Sequence, residues 1–268
     1  MRALYKLDGN NRRLDNEHNT MTPKISLEEL WSSPVSEDQV FIAAPRIPHA
    51  IAAQRYLEHT IASGTRLASA VRLQMHGEIK LKGWLPFTAE EVIRWDRGMI
   101  WAASVQMNGI TIDGSDRVVD GEGSMDWKAP GAIPVMTAAG PDITRSAIGR
   151  VHVEAIWLPS MLSKPTVAWT QTDHSNLHAS FTMLGRTAEL DLVVEDNGRI
   201  TSASVQRWGN PDRAAFHDVS FGGMLDDEAT FEGYTIPTRI RAGWYFGTDR
   251  FEVDGEFFRA TINQATFR

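Results

Sequence analysis

Residues 150–162 form the one long run in this chain with a helical apolar stripe. They stand between two stretches that turn signals cut into short strand-like pieces. Strands, one buried helix, then more strands, with no alternation of the two, excludes a parallel α/β sheet, whose neighbours need crossover connections. An antiparallel sheet remains, and with strands on both sides of one helix it must curl to bury that helix. The predicted fold is mainly β: an antiparallel curled sheet, a half-barrel, wrapping a central helix, with N-terminal helices before it.

Turn residues set the strand limits. Strands are expected at 67–81, 99–107, 110–119 and 121–128, the last three joined by the tight-turn pairs Asn108-Gly109 and Asp120-Gly121. The helix is read from about Asp142, behind Gly140-Pro141, to Pro159 or just past Leu162. Further strands follow at 167–172, 177–184, 187–194, 199–208, 229–231, 236–246 and 251–267, with Asp196-Asn197-Gly198 as a hairpin turn. Thr88 and Glu91 have capping-box spacing, so residues 83–91 read as a turn and a capped helical turn. Residues 209–223 read as a long irregular loop. Near the start, Ser26 and Glu29 predict a capped short helix before Ser33-Pro34. A second helix runs from about Pro48 towards Gly64, with Ile51, Leu57 and Ile61 on its apolar face, as a lid or buttress. Residues 1–23, which include Met21, are read as a polar tail, and 24–268 as one β-rich domain.

At 268 residues, 42% of them apolar and 9% aromatic, the chain can build a sizeable core. A net charge of -7 without a Lys/Arg cluster argues against nucleic acid or an anionic membrane as partner. The absence of cysteine removes disulfides, thiolate nucleophiles and Cys-bound metals. No apolar window is long enough for an integral membrane segment, and the first twenty residues lack the apolar core of a secretory signal, so the expected location is cytoplasmic. There is no G-x-S-x-G elbow, P-loop or dinucleotide fingerprint, so no cofactor is expected. Oligomeric state is left open.

Several motifs carry a resemblance: Trp84-x-Pro86-Phe87-Thr88-Ala89-Glu90, Asp116-Arg117-x-x-Asp120-Gly121-x-Gly123, Glu154-Ala155-x-Trp157-Leu158-Pro159, and Gly233-x-x-Ile236-Pro237 with Gly243-Trp244. Over roughly residues 45–268 the chain resembles an uncharacterised bacterial domain-of-unknown-function family, which implies no reaction. From Asp196-x-Gly198-Arg199-Ile200 to Tyr234-x-Ile236-Pro237-Thr238 it also resembles the LolA/LolB-like lipoprotein-carrier half-barrel. That resemblance implies a sheet wrapped around a helix and a lipid cavity.

Glu154 is the leading candidate for chemistry. On a helical projection it falls about 60° from the stripe through Val151, Ala155 and Leu158, on the flank of Trp157 and Met161. In an apolar setting its carboxyl would titrate high and serve as an acid or base; the alternative is an ion pair with Arg150, four residues earlier. Arg207, ending a strand, and His76, in the first strand, are candidate helpers. Trp84, Trp101, Trp157, Met161, Trp169, Trp208 and Trp244 are candidate walls of an apolar pocket, each with core packing as the plainer role. His174 and His178 stand four apart, but on a turn and without the Glu of a zinc motif, so no metal site is expected. The acids of 113–122 are read as solvated turn residues, with Asp116 and Asp120 able to share a face. Two functions follow as expectations: binding of a small apolar or lipid-like molecule between sheet and helix, or a cofactor-independent acid/base enzyme using Glu154.

Overall fold

The computed structural model describes residues 24–34, 39–44, 47 and 49–268. The expected tail and the helix start at Pro48 lie outside the described residues. Six successive antiparallel strands form a first meander: β1 (Ala70–Lys80), β2 (Trp84–Arg94), β3 (Gly98–Met107), β4 (Ile110–Val119), β5 (Glu122–Ala129) and β6 (Ile133–Ala139). Asn108 and Gly109, and likewise Asp120 and Gly121, all take positive φ, the left-handed pair that a two-residue hairpin needs.

Residues 83–91 correct the expected helical turn. All but Gly83, which stays in the turn, lie in β2, which pairs in full register with β1 and, from Phe87 on, with β3. Pro86 is tolerated because β3 does not reach it, so no hydrogen bond to β3 is lost. Two-sided burial decides the state. Val92 and Ile100 pack on the outer face under Leu30 of α1 (Leu27–Ser32), whose Ser26/Glu29 capping box forms as expected. β6 has no counterpart among the sequence-predicted strands. It is an edge strand with Ile133 and Val135 exposed, so it lacks the alternation that marks a half-buried strand.

The central helix α3 (Pro141–Glu154) follows. It passes into a 3-10 turn (Ala155–Trp157), and α4 (Pro159–Leu162) then starts anew. The break sits at Leu158, which Pro159 drives out of the helical region to φ -126, ψ 66. A second meander follows: β7 (Ala168–Gln171), β8 (Asn176–Met183), β9 (Arg186–Val194), β10 (Ile200–Gly209) and β11 (His217–Leu225). The expected loop over 209–223 is therefore irregular only over 210–216; the rest is strand, its alternation of Val219 and Phe221 broken by the small residues Gly222 and Gly223. A hairpin of β12 (Glu228–Phe231) and β13 (Tyr234–Pro237) leaves the sheet. β14 (Arg239–Trp244) and β15 (Glu256–Phe267) return to it, with a π-helical turn at Phe251–Gly255 between them.

β15 pairs with β14 on one side and β1 on the other, fusing the two meanders into one thirteen-stranded sheet whose edges are β6 and β7. α3 packs on β3–β6 of the first meander and on β9 and β10 of the second, so the unclosed sheet curls about it. The second helix, α2 (Ile51–Thr60), buttresses one end against β7, β8 and β13, and Gln171 accepts a bond from the Ala52 N–H in its first turn. Its buried face is Ala52, Ala53, Tyr56, Leu57 and Thr60. Ile51, expected inside, is 67% exposed. No helix among the described residues is long and apolar enough to cross a membrane.

Candidate functional site

Glu91, Trp101 and Asp116 stand side by side on β2, β3 and β4, each directly opposite the next. Their strand neighbours Val92 and Ile100 face outward under α1, so these three face inward, towards α3. There they meet Arg150 and Glu154, one helical turn apart. Arg150 donates through Nε to Glu154 Oε1 at 2.5 Å and through Nη2 to Glu91 Oε1 at 2.9 Å. Its Nη1 lies 3.9 Å from Asp116 Oδ2, and its guanidinium sits 5.2 Å from the Trp101 ring centre. Trp127 on β5 donates from Nε1 to Asp116 Oδ1 at 2.8 Å. The indole lies across Gly114, where a Cβ would come within 2.3 Å of the ring.

Arg207 enters from the other meander, on β10. Its Nε donates to the Ser146 carbonyl at 3.0 Å, and its guanidinium lies 4.4 Å from the Phe221 ring and 4.9 Å from that of Trp244. Gly149 on α3 lets the arginine stem pass, since a Cβ there would meet Arg207 Cγ at 3.0 Å.

Three carboxyls thus face two guanidiniums among the described residues, in a place with little water. Burial pushes Glu91 well above the usual carboxylate range, and the nearby Glu154 charge adds to this. Burial also raises Glu154 and Asp116, against the pull of Arg150 on both. Burial works against the charge on Arg150 as well, but Glu154, Glu91 and Asp116 outweigh it and keep the guanidinium protonated. Glu91 Oε2 and Glu154 Oε2 accept from no donor of the described chain. The two carboxyls are close enough to act on each other, and the Glu154 charge makes Glu91 the readier of the pair to hold a proton.

Beside this cluster the sheet leaves a cavity. Its floor is one cross-strand row through five strands, Ile79, Phe258, Ala242, Gly223 and Ala203, each opposite the next. The middle of that row is small, so the sheet cannot fill the space under α3. Val153, Ile156 and Trp157 form the roof, Phe221, Leu225, Ile240 and Phe257 the sides, and Asp116, Arg150, Glu154 and Arg207 one polar end. The room open to the centre of a water-sized sphere is about 80 Å³, several times what one water needs.

Of the residues expected at the site, Glu154, Arg207, Trp101 and Trp157 line this cavity. His76 does not: β1 alternation turns Met75 inward and His76 outward, where Nδ1 meets Asn263 Oδ1 at 2.8 Å, so no pair with Glu154 forms. Trp84 lies against Arg259, Trp169 beside Tyr56, and Trp208 under Arg145, with its Nε1 bonded to Asp142. Met161 is buried in the core, and Trp244 backs Arg207 behind the cavity wall. Asp120 is held at the surface by Arg97, whereas Asp116, expected to be solvated with it, is only 13% exposed because it faces α3 beside Arg150. Glu91 was hidden by the helical reading of its segment; the alternation Phe87, Ala89, Glu91, Ile93 is the signal that places it inward. Among the described residues, no three His, Asp or Glu side chains are placed so as to hold a metal ion together.

A family model described as a family of unknown function (DUF6920) matches residues 46–267. No curated protein matches the sequence. Two solved structures align with the chain at low identity. One is a putative outer membrane lipoprotein-sorting protein domain from Vibrio parahaemolyticus, with 8% identity, 75% of this chain and 86% of that one covered, and a TM-score of 0.41. The other is a LolA superfamily protein from Nitrosomonas europaea, with 9% identity, 83% and 94% covered, and a TM-score of 0.43.

Proposed function

We propose a function from the site itself, since the chain belongs to DUF6920, a family of unknown function: the protein binds a small apolar or lipid-like molecule in the cavity between the curled sheet and α3. The carrying observation is the row Ala242, Gly223, Ala203. Three small residues in succession, on strands that elsewhere carry Phe and Ile, keep open a space that larger side chains would fill at a gain in stability. Apolar walls with polar groups at one end suit a molecule that is mostly hydrocarbon and carries one polar head.

Filling the row tests this. Ala203→Leu is expected to weaken binding of a fluorescent apolar probe at least tenfold while circular dichroism keeps the β signature. Equal binding by the variant would overturn the assignment. Native mass spectrometry of freshly purified protein is the complementary measurement, and the expected result is a retained apolar mass that organic denaturation releases.

A second reading has its own observation, the buried carboxyls Glu91 and Glu154 side by side at the cavity wall, both shifted upward. A buried carboxyl pair of that kind can deliver and take back a proton, so a cofactor-independent acid/base reaction on an apolar molecule is compatible with the site. Incubation of any ligand recovered by mass spectrometry separates the readings. Conversion that stops in Glu154→Gln supports the enzyme, and recovery of the ligand unchanged supports the carrier.

A further inference from the structure

The head group of the ligand can be read from the charge at the polar end of the cavity, on the premise that the cavity binds apolar molecules. Glu154 is 6% exposed and lines the cavity, yet its Oε2 accepts from no donor of the described chain. Asp116 lines the cavity beside it. Among the described residues, the charged groups around them are Glu91 on β2, Arg150 on α3 and Arg207 on β10. Both arginines already have work: Arg150 ties Glu154 to Glu91, and Arg207 donates to the Ser146 carbonyl under two aromatic rings. The unmet capacity at the polar end is therefore an acceptor, and the described groups carry one carboxyl more than they have guanidiniums.

We propose that the cavity takes an amphiphile with a protonated amine head, which seats on Glu154 and Asp116. The balance is simple. R–NH3+ enters, the Glu91 carboxyl loses one proton to solvent, and the cluster keeps its net charge. Burial and the nearby Glu154 charge both disfavour ionising Glu91, and the positive charge of an ammonium among the carboxyls works against that shift. A carboxylate head would instead add a further negative group to a buried site that already holds three carboxyls.

Isothermal titration with decylamine, decanol and decanoate at pH 7.5, below their micelle concentrations and in two buffers of different ionisation enthalpy, tests this. The amine is expected to bind at least tenfold more tightly than decanoate and to release a proton on binding. In Glu91→Gln, which has no proton to release, the released proton should disappear and the amine-to-decanoate ratio should fall below threefold. Glu154→Gln should lower the same ratio, and either variant suffices if the other fails to fold. Decanoate binding as tightly as the amine, or amine binding with no proton released, overturns the head-group assignment while decanol binding keeps the apolar cavity. If none of the three binds, the cavity-binding reading itself falls, and this assignment falls with it.

Discussion

Arg150 is the residue on which the buried cluster depends, because it alone bonds to both Glu91 and Glu154. Replacing it with Met removes a charge that three buried carboxyls face, and the loss expected for breaking such a network is about 3–5 kcal/mol. Urea unfolding measures it, as a lower midpoint with unchanged slope. The pH dependence follows from the direction of the Glu91 shift. Its folded value lies above the unfolded 4.5, so the folded state holds the extra proton, and stability from this group is complete below about 4.5 and is lost as pH rises through the folded value. Glu91→Gln keeps the shape and the donor without the titration. Its melting temperature should fall less steeply than that of the parent protein from about pH 5 to 8. At this scale the sequence was partly legible. Glu154 and Arg207 stand out as charges in apolar runs, but Glu91 and Asp116 sit in stretches dense with acids. Only their register against Trp101 separates them from solvated neighbours.

At the scale of elements, Gly114 makes the clearest prediction. The Trp127 ring occupies the space of its missing side chain and delivers its N–H to Asp116. Gly114→Ala overpacks that contact. It should cost about 1–3 kcal/mol in urea unfolding and shift the tryptophan fluorescence as the indole moves. Hairpins such as 108–109 and 120–121 were legible because a tight turn is chosen by its own two residues. β2 was not. Thr88 and Glu91 have the spacing of a capping box, and what makes the segment a strand is burial on both faces, by α1 outside and α3 inside, which no local pattern records. The seven candidate wall residues met the same limit. Aromatic residues fill a core or border a cavity according to where a curled sheet leaves room, so Trp101 and Trp157 reach it while Trp84 and Trp208 pack at the surface.

For the whole molecule, the sheet's continuity rests on β15. Ending the chain at Gly255 would leave two meanders that share α3 but no strand pairing between them. The expected result is loss of the single cooperative unfolding transition, checked by comparing circular dichroism with tryptophan fluorescence during denaturation. Glu256, at the start of β15, adds an acid limit. Burial would raise it, but Arg241 and Arg259 outweigh this and hold it at about 2, so its contribution is present above 4.5 and is lost as pH falls from there towards 2. With Glu91 opposing on the other side, the melting temperature should peak at about pH 5.

The position of β15 also orders events during synthesis. Twelve strands of the sheet are made before it, yet it belongs between β14 and β1, near the middle. Until it emerges, β1 offers an unpaired edge, and the newly made first half has no seam to the second. The seam, and with it the cavity floor that runs across Ile79 and Phe258, therefore forms only after translation has passed every other strand. A ribosome stalled before residue 256 would hold a chain with the polar residues of the site already made but no completed chamber to receive a ligand.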